Sequence, residues 1–200
     1  MKLQQPFKSY FPISQEFGRN FNNWYKEDGL KGHSGVDFAC PTGTPIIAPC
    51  DGVVVAVSTD IQRGLGASIM SDETFDWKEP CKFICIHWHF KSVAVKVGDK
   101  VKTGDLLGLS DNTGQSTGSH LHFSVIPVAT DGSRRPLEPN NGYNNCINPI
   151  PYLELEKKPE TPKTIKIKEL QFLLNKWGAK LKIDGIFGKK STKALTEFLK

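Results

Sequence analysis

Two histidines separated by a single residue carry the clearest chemical signal in this sequence. His120 and His122 lie in the run 119–125, whose alternating side chains predict a β-strand. Residues two apart on a strand share a face, so both imidazoles would project to one side and Leu121 to the other. Such a pair suits metal binding or acid–base catalysis, although an incidental pair of histidines has the same spacing.

A third histidine stands four residues before a carboxylate, as His33 and Asp37. On a straight strand the two Cα atoms would be about 13 Å apart, too far to share one metal ion. Gly32 and Gly35 flank the histidine, and glycine permits a bend that would bring the side chains together. With one imidazole of the 120–122 pair, they predict the ligand set of an open catalytic zinc site. A His33–Asp37 ion pair on a surface loop is the alternative.

The remaining two histidines are His87 and His89, within the apolar strand-like run 82–90. Both fall on the same face of a regular strand. Strand periodicity therefore does not choose between them as functional residues.

Short strand-like runs and turn sequences alternate between residues 11 and 151, which is typical of an antiparallel β-sheet or sandwich. The predicted strands are Val53–Ser58, Lys82–Phe90, Val93–Val97, Leu106–Leu109 and His120–Pro127. Three long polar stretches (17–31, 60–79 and 129–148) are predicted to be loops that wall a binding groove.

Length and composition leave room for one domain of about 150 residues and a small second one. The 200 residues include 12 Phe and 4 Trp, enough to bury a core, and no apolar run long enough for a transmembrane helix. The N-terminus lacks the apolar segment of a secretory signal, so we expect the chain to stay in the compartment where it is made. The five cysteines are then expected to be reduced, and Cys81 and Cys85 lack the second pair that a structural zinc site needs.

Charge is distributed unevenly along the chain. Residues 1–150 carry 14 basic and 15 acidic side chains, a net charge of −1, whereas residues 151–200 carry 12 and 6, a net charge of +6. We predict a catalytic domain over 1–152, a charged, Pro-containing linker over 153–163 and a helical module over 164–200. The basic module suggests an anionic partner such as nucleic acid, a membrane surface or the cell envelope, although a solvated lysine-rich face would look the same.

Together, the motifs resemble the M23 family, the lysostaphin/LytM-like zinc peptidases that cut peptidoglycan cross-links. The resemblance covers about residues 10–150. It rests on His-x-x-x-Asp at 33–37, on Ser-Thr-Gly-x-His-Leu-His-Phe at 116–123 and on VKVGDKVKTGDLLG at 95–108. The resemblance implies a mainly antiparallel β fold, an M23-type sandwich or sheet with long groove-forming loops.

The resemblance also implies roles for individual residues. It assigns one zinc ion per chain to His33, Asp37 and His122, and a catalytic role to His120. A second catalytic histidine lies nine residues before the glycine of Val-x-Val-Gly in the family, which selects His89. The expected substrate contacts are Asn112, Ser116 and Thr117.

Two further features of this region allow other interpretations. His87 stands where the family often has an aromatic residue, which indicates a packing role or a place at the edge of the site. The block at 95–108 also looks like one hairpin of a biotinyl or lipoyl carrier domain. Such domains need a second half and an exposed modified lysine, and a carrier would leave the histidines unexplained.

The tail resembles the peptidoglycan-binding domain 1 family, a small helical wall-binding module, over residues 164–200. The likeness is carried by Leu170-Gln171-x-x-Leu174 and by IDGIFG at 183–188. A helical face formed by Ile167, Leu170, Leu174 and Trp177 and a second helix over 191–200 fit this module. It departs from the family in its shortened first segment and at Lys189 and Ser191. The residues expected to contact the wall are Trp177, Asp184 and Phe187.

The sequence therefore predicts a zinc-dependent endopeptidase that hydrolyses cross-linking peptides of bacterial peptidoglycan, at the D-Ala–meso-diaminopimelate bond. The two-part arrangement resembles a phage endolysin, held in the host cytoplasm until holin-dependent release and then acting at the cell wall. We expect peptidoglycan as the partner, a monomer, no nucleic acid and no membrane insertion. The alternatives are an exported host enzyme, a non-catalytic wall-binding protein or amidase activator, and a D,D-carboxypeptidase.

Overall fold

The structure is a computed structural model, and it describes residues 2–21, 23–158 and 166–199. The chain divides into two compact units, Met1–Lys158 and Pro159–Lys200. Each unit has its own secondary structure, the first almost entirely β and the second α.

Twelve strands are found in the described part of the first unit. They are β1 (Leu3–Gln4), β2 (Ile13–Gln15), β3 (Val36–Phe38), β4 (Pro45–Ile47), β5 (Gly52–Asp60), β6 (Gly64–Ser71), β7 (Phe75–Asp76), β8 (Pro80–Val93), β9 (Lys100–Val101), β10 (Leu106–Ser110), β11 (Leu121–Val128) and β12 (Leu153–Glu154). Two short 3-10 helices, Trp24–Lys26 and Ile150–Tyr152, lie between them.

Ten of these strands form one sheet in the order β2-β3-β11-β8-β6-β5-β9, to which β4, β7 and β10 add pairs at the side. Every pairing in this sheet is antiparallel, whereas β1 and β12 form a separate parallel pair. The mainly antiparallel β fold with a small helical part is thereby confirmed.

The core of the first unit lies against β8, where buried and half-buried side chains alternate from Cys81 to Trp88. Six fully buried phenylalanines fill most of it: Phe7, Phe38, Phe75, Phe83, Phe90 and Phe123. Burial of a side chain of this size contributes about 1.5–3 kcal/mol. The same packing fixes β8 and β11. His87 and His89 lie in β8, His122 lies in β11, and His120 directly precedes β11.

Two sequence predictions in this sheet were wrong. The stretch 60–79, predicted to be a loop, contains β6, which pairs with both β5 and β8. Its sequence GLGASIMS has few β-branched residues; Gly64 closes the preceding turn with φ +70°, whereas Gly66 serves close packing against Trp88. The predicted strand Val93–Val97 is also absent, because the chain leaves the sheet after Val93 and turns at Gly98.

The predicted linker over 153–163 begins inside the folded unit. Leu153 and Glu154 form β12 against β1, Leu153 is buried in the core, and the backbone N–H of Glu156 donates to Gln5 Oε1 at 2.8 Å. Residues 159–163 of that linker lie outside the described residues. The exact domain boundaries stay a prediction.

The second unit contains α1 (Ile167–Lys176) and α2 (Lys189–Phe198), so the second helix begins two residues before the predicted start. Of the predicted face of α1, only Leu174 is buried, and Trp177 is 75% exposed. Gln171 is also buried, and it joins the helix to the following loop. Across the described ranges, none of the helices has the length and apolar character needed to cross a bilayer.

Candidate metal centre

Three side chains converge where the loop before β3 meets β11. His33 Nε2 lies 3.1 Å from Asp37 Oδ1 and 2.9 Å from His122 Nδ1, and His122 Nδ1 lies 3.0 Å from Asp37 Oδ1. The three ligand-type atoms lie within 4.8 Å of one another. The structure therefore brings together the three residues that were predicted to bind the metal.

Strand register and one glycine produce this convergence. Asp37 in β3 is the direct register partner of His122 in β11, so the two side chains leave the sheet from adjacent positions on one face. A Cβ added to Gly35 would lie 2.5 Å from Phe123 O and 2.5 Å from Ser124 Oγ. The sequence predicts that Gly35 permits a bend of the backbone between His33 and Asp37. Its φ is not positive, and its observed role is to let the His33 loop approach β11 closely.

In each ligand imidazole, the ring nitrogen that faces away from the cluster forms a hydrogen bond. His33 Nδ1 donates to the Glu16 carbonyl at 3.2 Å, and His122 Nε2 lies 2.7 Å from Ser124 Oγ. Because a carbonyl only accepts, the hydrogen of neutral His33 is on Nδ1, and the lone pair of Nε2 faces the cluster. The two rings thus present opposite nitrogens, Nε2 and Nδ1, to the same point.

Electrostatics keep this donor set in a metal-binding form. Burial alone would raise the pKa of Asp37, but the adjacent imidazoles of His122 and His33 outweigh it and hold that pKa well below its usual value. Burial lowers the pKa of His122, against the pull of Asp37. Three atoms with lone pairs about 3 Å apart repel one another unless a cation lies among them. Two imidazole nitrogens and one carboxylate oxygen are ligands that zinc prefers, so the residues fit this ion.

Two more histidines border the cluster. The ring centroids of His89 and His120 are 4.4 Å apart, and His120 Nε2 lies 3.7 Å from Asp37 Oδ1. His89 Nδ1 donates to the Thr113 carbonyl at 2.6 Å, and His120 Nδ1 donates to the Gly118 carbonyl at 2.8 Å. These bonds occupy Nδ1 and leave Nε2 available for proton transfer on both rings.

The choice between His87 and His89 is made by a β-bulge. Between the pairs Leu65–Phe90 and Ala67–His87, β8 advances three residues while β6 advances two. At the bulge His89 has φ +68°, a left-handed conformation that is rare for a residue with a Cβ. The extra residue turns His89 out of the regular alternation and towards His120, so that it no longer shares a face with His87.

His87 instead belongs to the core. It is fully buried, its ring packs against Phe123 at a centroid distance of 5.1 Å, and its Nδ1 donates to the Ala67 carbonyl at 3.2 Å. Its Nε2 has no hydrogen-bond partner in the described structure. Burial lowers its pKa to about 4, and burial likewise lowers the pKa of His89 to about 4, so both imidazoles are neutral at pH 7.

The three expected substrate contacts lie on the loop between β10 and β11. Ser116 Oγ lies 3.1 Å from His120 Nδ1, behind the ring as seen from the cluster. Asn112 and Thr117 are exposed on the same loop. Their role in substrate binding stays a prediction, while the position of Ser116 indicates a part in orienting His120.

Tyr25 is a residue near the cluster that the sequence reasoning missed. Its ring centroid lies 5.8 Å from that of His33, and Gln15 Nε2 donates to its hydroxyl oxygen at 2.5 Å. Burial, reinforced by the charge of Asp37, raises its pKa to about 12. The phenol is therefore protonated, and its own hydrogen is free to be donated. An aromatic residue in the polar stretch 17–31 was the only signal in the sequence.

The residues expected to bind the wall lie in the second unit. Trp177 is exposed and meets Phe198 edge to face at 5.3 Å, and Phe187 is 39% exposed. Asp184 Oδ1 accepts hydrogen bonds from Gln171 Nε2 and from the backbone N–H of Ile186, both at 2.9 Å. That carboxylate therefore also stabilises the loop between the helices.

Comparison with known proteins gives consistent matches to the first unit. The sequence model of peptidase family M23 matches residues 31–138. An uncharacterised metalloprotease of Buchnera aphidicola is 42% identical over 124 residues, 62% of this chain and 30% of its own length. The peptidoglycan DD-endopeptidase ShyA of Vibrio cholerae is 38% identical over 94 residues, 47% of this chain and 20% of its own. The glycyl-glycine endopeptidase ALE-1 of Staphylococcus capitis is 36% identical over 132 residues, 63% of this chain and 31% of its own.

Among solved structures, a zinc-containing peptidase from Vibrio cholerae aligns with a TM-score of 0.54 at 27% identity, over 68% of this chain and 39% of that one. The chain spans less than a third of the length of the curated relatives named above. The matched region of the family model contains the cluster residues and both neighbouring histidines.

Proposed function

Because this chain belongs to peptidase family M23, we propose that it is a zinc-dependent endopeptidase that hydrolyses peptide cross-links of bacterial peptidoglycan. The observation that carries the proposal is the cluster of His33, Asp37 and His122 with His89 and His120 beside it. The names of relatives that act on peptidoglycan, ShyA and ALE-1, support the substrate class.

In this proposal, His33 Nε2, Asp37 Oδ1 and His122 Nδ1 hold the zinc ion. Bound zinc supplies a Lewis acid that polarises the scissile carbonyl and lowers the pKa of a water molecule from about 15.7 towards about 7. The backbone carbonyl behind His33 fixes the tautomer of that ring, and the hydroxyl behind His122 holds the second ring in its orientation.

Proton transfer falls to His89 and His120. His89 is neutral at pH 7, so its Nε2 can accept a proton from the attacking water. His120 Nε2 lies beside Asp37 Oδ1, and a protonated ring there would be stabilised by the carboxylate and could donate to the leaving amine. The ring centroids are only 4.4 Å apart, so either histidine could accept the proton of the water while the other donates to the leaving amine.

Tyr25 is placed to stabilise the charge that develops on the scissile carbonyl oxygen. Its hydroxyl oxygen already accepts from Gln15, so its own O–H can donate towards the cluster. Such a donor acts most strongly in the transition state, when the oxygen is most negative.

We also propose that the second unit holds the enzyme on the wall. Residues 151–200 carry a net charge of +6, and Trp177, Ile186 and Phe198 leave large apolar surfaces exposed. Peptidoglycan is an anionic, sugar-rich polymer that both features would suit. The phage endolysin assignment, the release route and the monomeric state remain predictions.

Digestion of purified sacculi tests the proposed reaction. The zinc-loaded full chain is incubated with walls cross-linked through diaminopimelate and with walls cross-linked through glycine bridges, and the products are identified by mass spectrometry. Loss of cross-linked dimers supports an endopeptidase, and we expect this loss with the diaminopimelate walls. Loss of only the terminal D-Ala would indicate a D,D-carboxypeptidase instead, and unchanged walls would indicate a binding protein. His120→Ala serves as the inactive control.

A further inference from the structure

An aromatic side chain beside His122 has no part in the catalytic proposal. Trp88 of β8 is the register partner of His122 in β11, so both side chains leave the same face of the sheet at adjacent positions. A Cβ added to Gly66 would lie 2.3 Å from the Trp88 ring, which shows that the ring packs directly on the backbone of that glycine. Trp88 is half-buried and thus forms a fixed surface next to the metal cluster.

An arginine lies over this ring. The guanidinium carbon of Arg63 is 6.0 Å from the centroid of Trp88, within the range of a cation–π contact. Arg63 belongs to the turn between β5 and β6, and that turn is well anchored. Asp60 Oδ1 accepts the backbone N–H groups of Gln62 and Arg63 at 2.8 Å each, and Gln62 O accepts from Gln115 N at 2.6 Å.

The charge of Arg63 also acts on a side chain next to Ser124, the residue that supports His122. Burial raises the pKa of Cys146 to about 12, and a hydrogen bond with Ser124 and the positive charge of Arg63 both oppose that rise. Ser124 in turn bonds His122, so Arg63 lies near the side chains that support this ligand. No ion pair found in the described ranges includes Arg63, and the carboxylate of Asp60 is engaged by its own turn.

Resting on the proposed function, we propose that Arg63, which lies over Trp88, binds a carboxylate of the cross-linked peptide beside the scissile bond. A guanidinium binds a carboxylate through two parallel hydrogen bonds, and a cation–π contact with an aromatic ring favours its position over that ring. The substrate class is therefore a cross-link that bears a free carboxylate, such as one formed by a diamino dicarboxylic acid. A glycine bridge has no side-chain carboxylate to offer.

Matched synthetic peptides test this subsite. One cross-linked peptide carries free carboxylates on both sides of the scissile bond. Two partners carry a neutral carboxamide in place of one carboxylate, one on the diamino acid after the bond and one on the diamino acid that precedes the D-Ala. We expect the zinc-loaded wild-type chain to lose about 10- to 100-fold in kcat/KM with one of the two, which identifies the carboxylate that is bound.

Arg63→Gln should abolish this preference by slowing cleavage of the carboxylate peptide while leaving that of the carboxamide peptide nearly unchanged. Arg63→Lys should restore part of it, because the charge is kept and the two-bond geometry is lost. Arg135→Gln is the matched control. Arg135 is exposed beyond the far end of β11, well away from His122, and we expect wild-type behaviour.

The outcomes separate the subsite from the function. If wild type cleaves the free and amidated peptides equally, or if Arg63→Gln slows all peptides alike, Arg63 only covers Trp88 and the subsite is refuted while the endopeptidase stands. If wild type cleaves none of the peptides and leaves sacculi intact, the proposed function itself fails. Zinc content measured on every variant excludes loss of metal as the cause.

Discussion

The ring nitrogen that His122 offers to the metal is set by Ser124. With Nε2 bonded to Ser124 Oγ at 2.7 Å, Nδ1 is the nitrogen that meets Asp37 and His33. We expect Ser124→Ala to weaken zinc affinity about 10- to 100-fold, the usual effect of losing such a supporting hydrogen bond. Competition with a zinc-binding dye measures this, and Ser124→Thr, which keeps the hydroxyl, should recover most of the affinity. An unchanged affinity in Ser124→Ala would mean that packing alone orients the ring.

His89 combines a chemical role with a strained backbone. At φ +68° a residue with a Cβ is disfavoured relative to glycine by about 1–2 kcal/mol. His89→Gly and His89→Ala should both lose roughly 10²–10⁴-fold in kcat with zinc retained. His89→Gly should nevertheless be the more stable of the two to urea by about 1 kcal/mol. Equal stabilities would show that the left-handed conformation carries no cost here.

His87 should make the protein sensitive to acid. Its pKa is lowered to about 4 by burial, against about 6.5 in the unfolded chain, so below pH 6.5 the unfolded state binds a proton that the folded state does not. Stability is therefore lost as the pH falls from about 6.5 to 4, by about 2 kcal/mol at pH 5. His87→Phe removes this contribution, and the variant should lose less stability than wild type between pH 7 and pH 5 in urea titrations.

The same variant checks the choice between the neighbouring histidines. Because His87 lies in the core, His87→Phe should keep its zinc and remain active. Activity as low as that of His89→Ala, with zinc retained, would mean that His87 belongs to the catalytic machinery.

At the scale of elements, the site depends on how closely the His33 loop approaches β11. A Cβ at Gly35 would meet backbone and side-chain atoms of that strand at 2.5 Å, so Gly35→Ala must push the loop away. We expect a loss of about 1–3 kcal/mol in stability and weaker zinc binding, because His33 moves relative to His122. Gly188→Ala is the control, since a Cβ there meets nothing within 4 Å and its φ is negative. Wild-type zinc affinity in Gly35→Ala would contradict this account.

At the scale of the whole molecule, removal of the second unit separates peptide cleavage from activity on the intact wall. A chain ending at Lys158 keeps β12 and the buried Leu153, and we expect it to bind zinc and cleave small soluble cross-linked peptides. It should lose much of its activity on sacculi, because tethering to the wall raises the local substrate concentration. The loss should shrink at high salt if charge dominates the tethering. Equal activity of the truncated and full chains on sacculi would refute the wall-binding proposal.

A chain ending at Tyr152 is the informative comparison. It lacks β12 and the contact between Glu156 and Gln5, so it should unfold at lower urea concentration than the chain ending at Lys158. Equal stability would mean that the folded unit ends earlier than β12.

The residues by themselves predicted the antiparallel β class and a metal site of His33, Asp37 and one histidine of the 120–122 pair, and resemblance to a family selected His122. Residues two apart on a strand share a face, so the position of His120 and His122 follows from local geometry. The pairing of His33 with Asp37 required a departure from a straight strand, which the flanking glycines indicated, although the reason proved to be close approach rather than a bend. Resemblance to a family then selected His89, which periodicity had left open.

The tertiary structure decided what depends on contacts between distant parts of the chain. The bulge that turns His89 towards His120 is a mismatch between β6 and β8, and β6 itself was missed because its glycines and small residues gain their stability only between two neighbours. The position of Tyr25 near His33 and of Arg63 over Trp88 likewise joins residues from separate loops and strands. Local sequence determines which face a side chain takes on its own strand, whereas register, bulges and close approach are set by the partner strand, and these bring the site together.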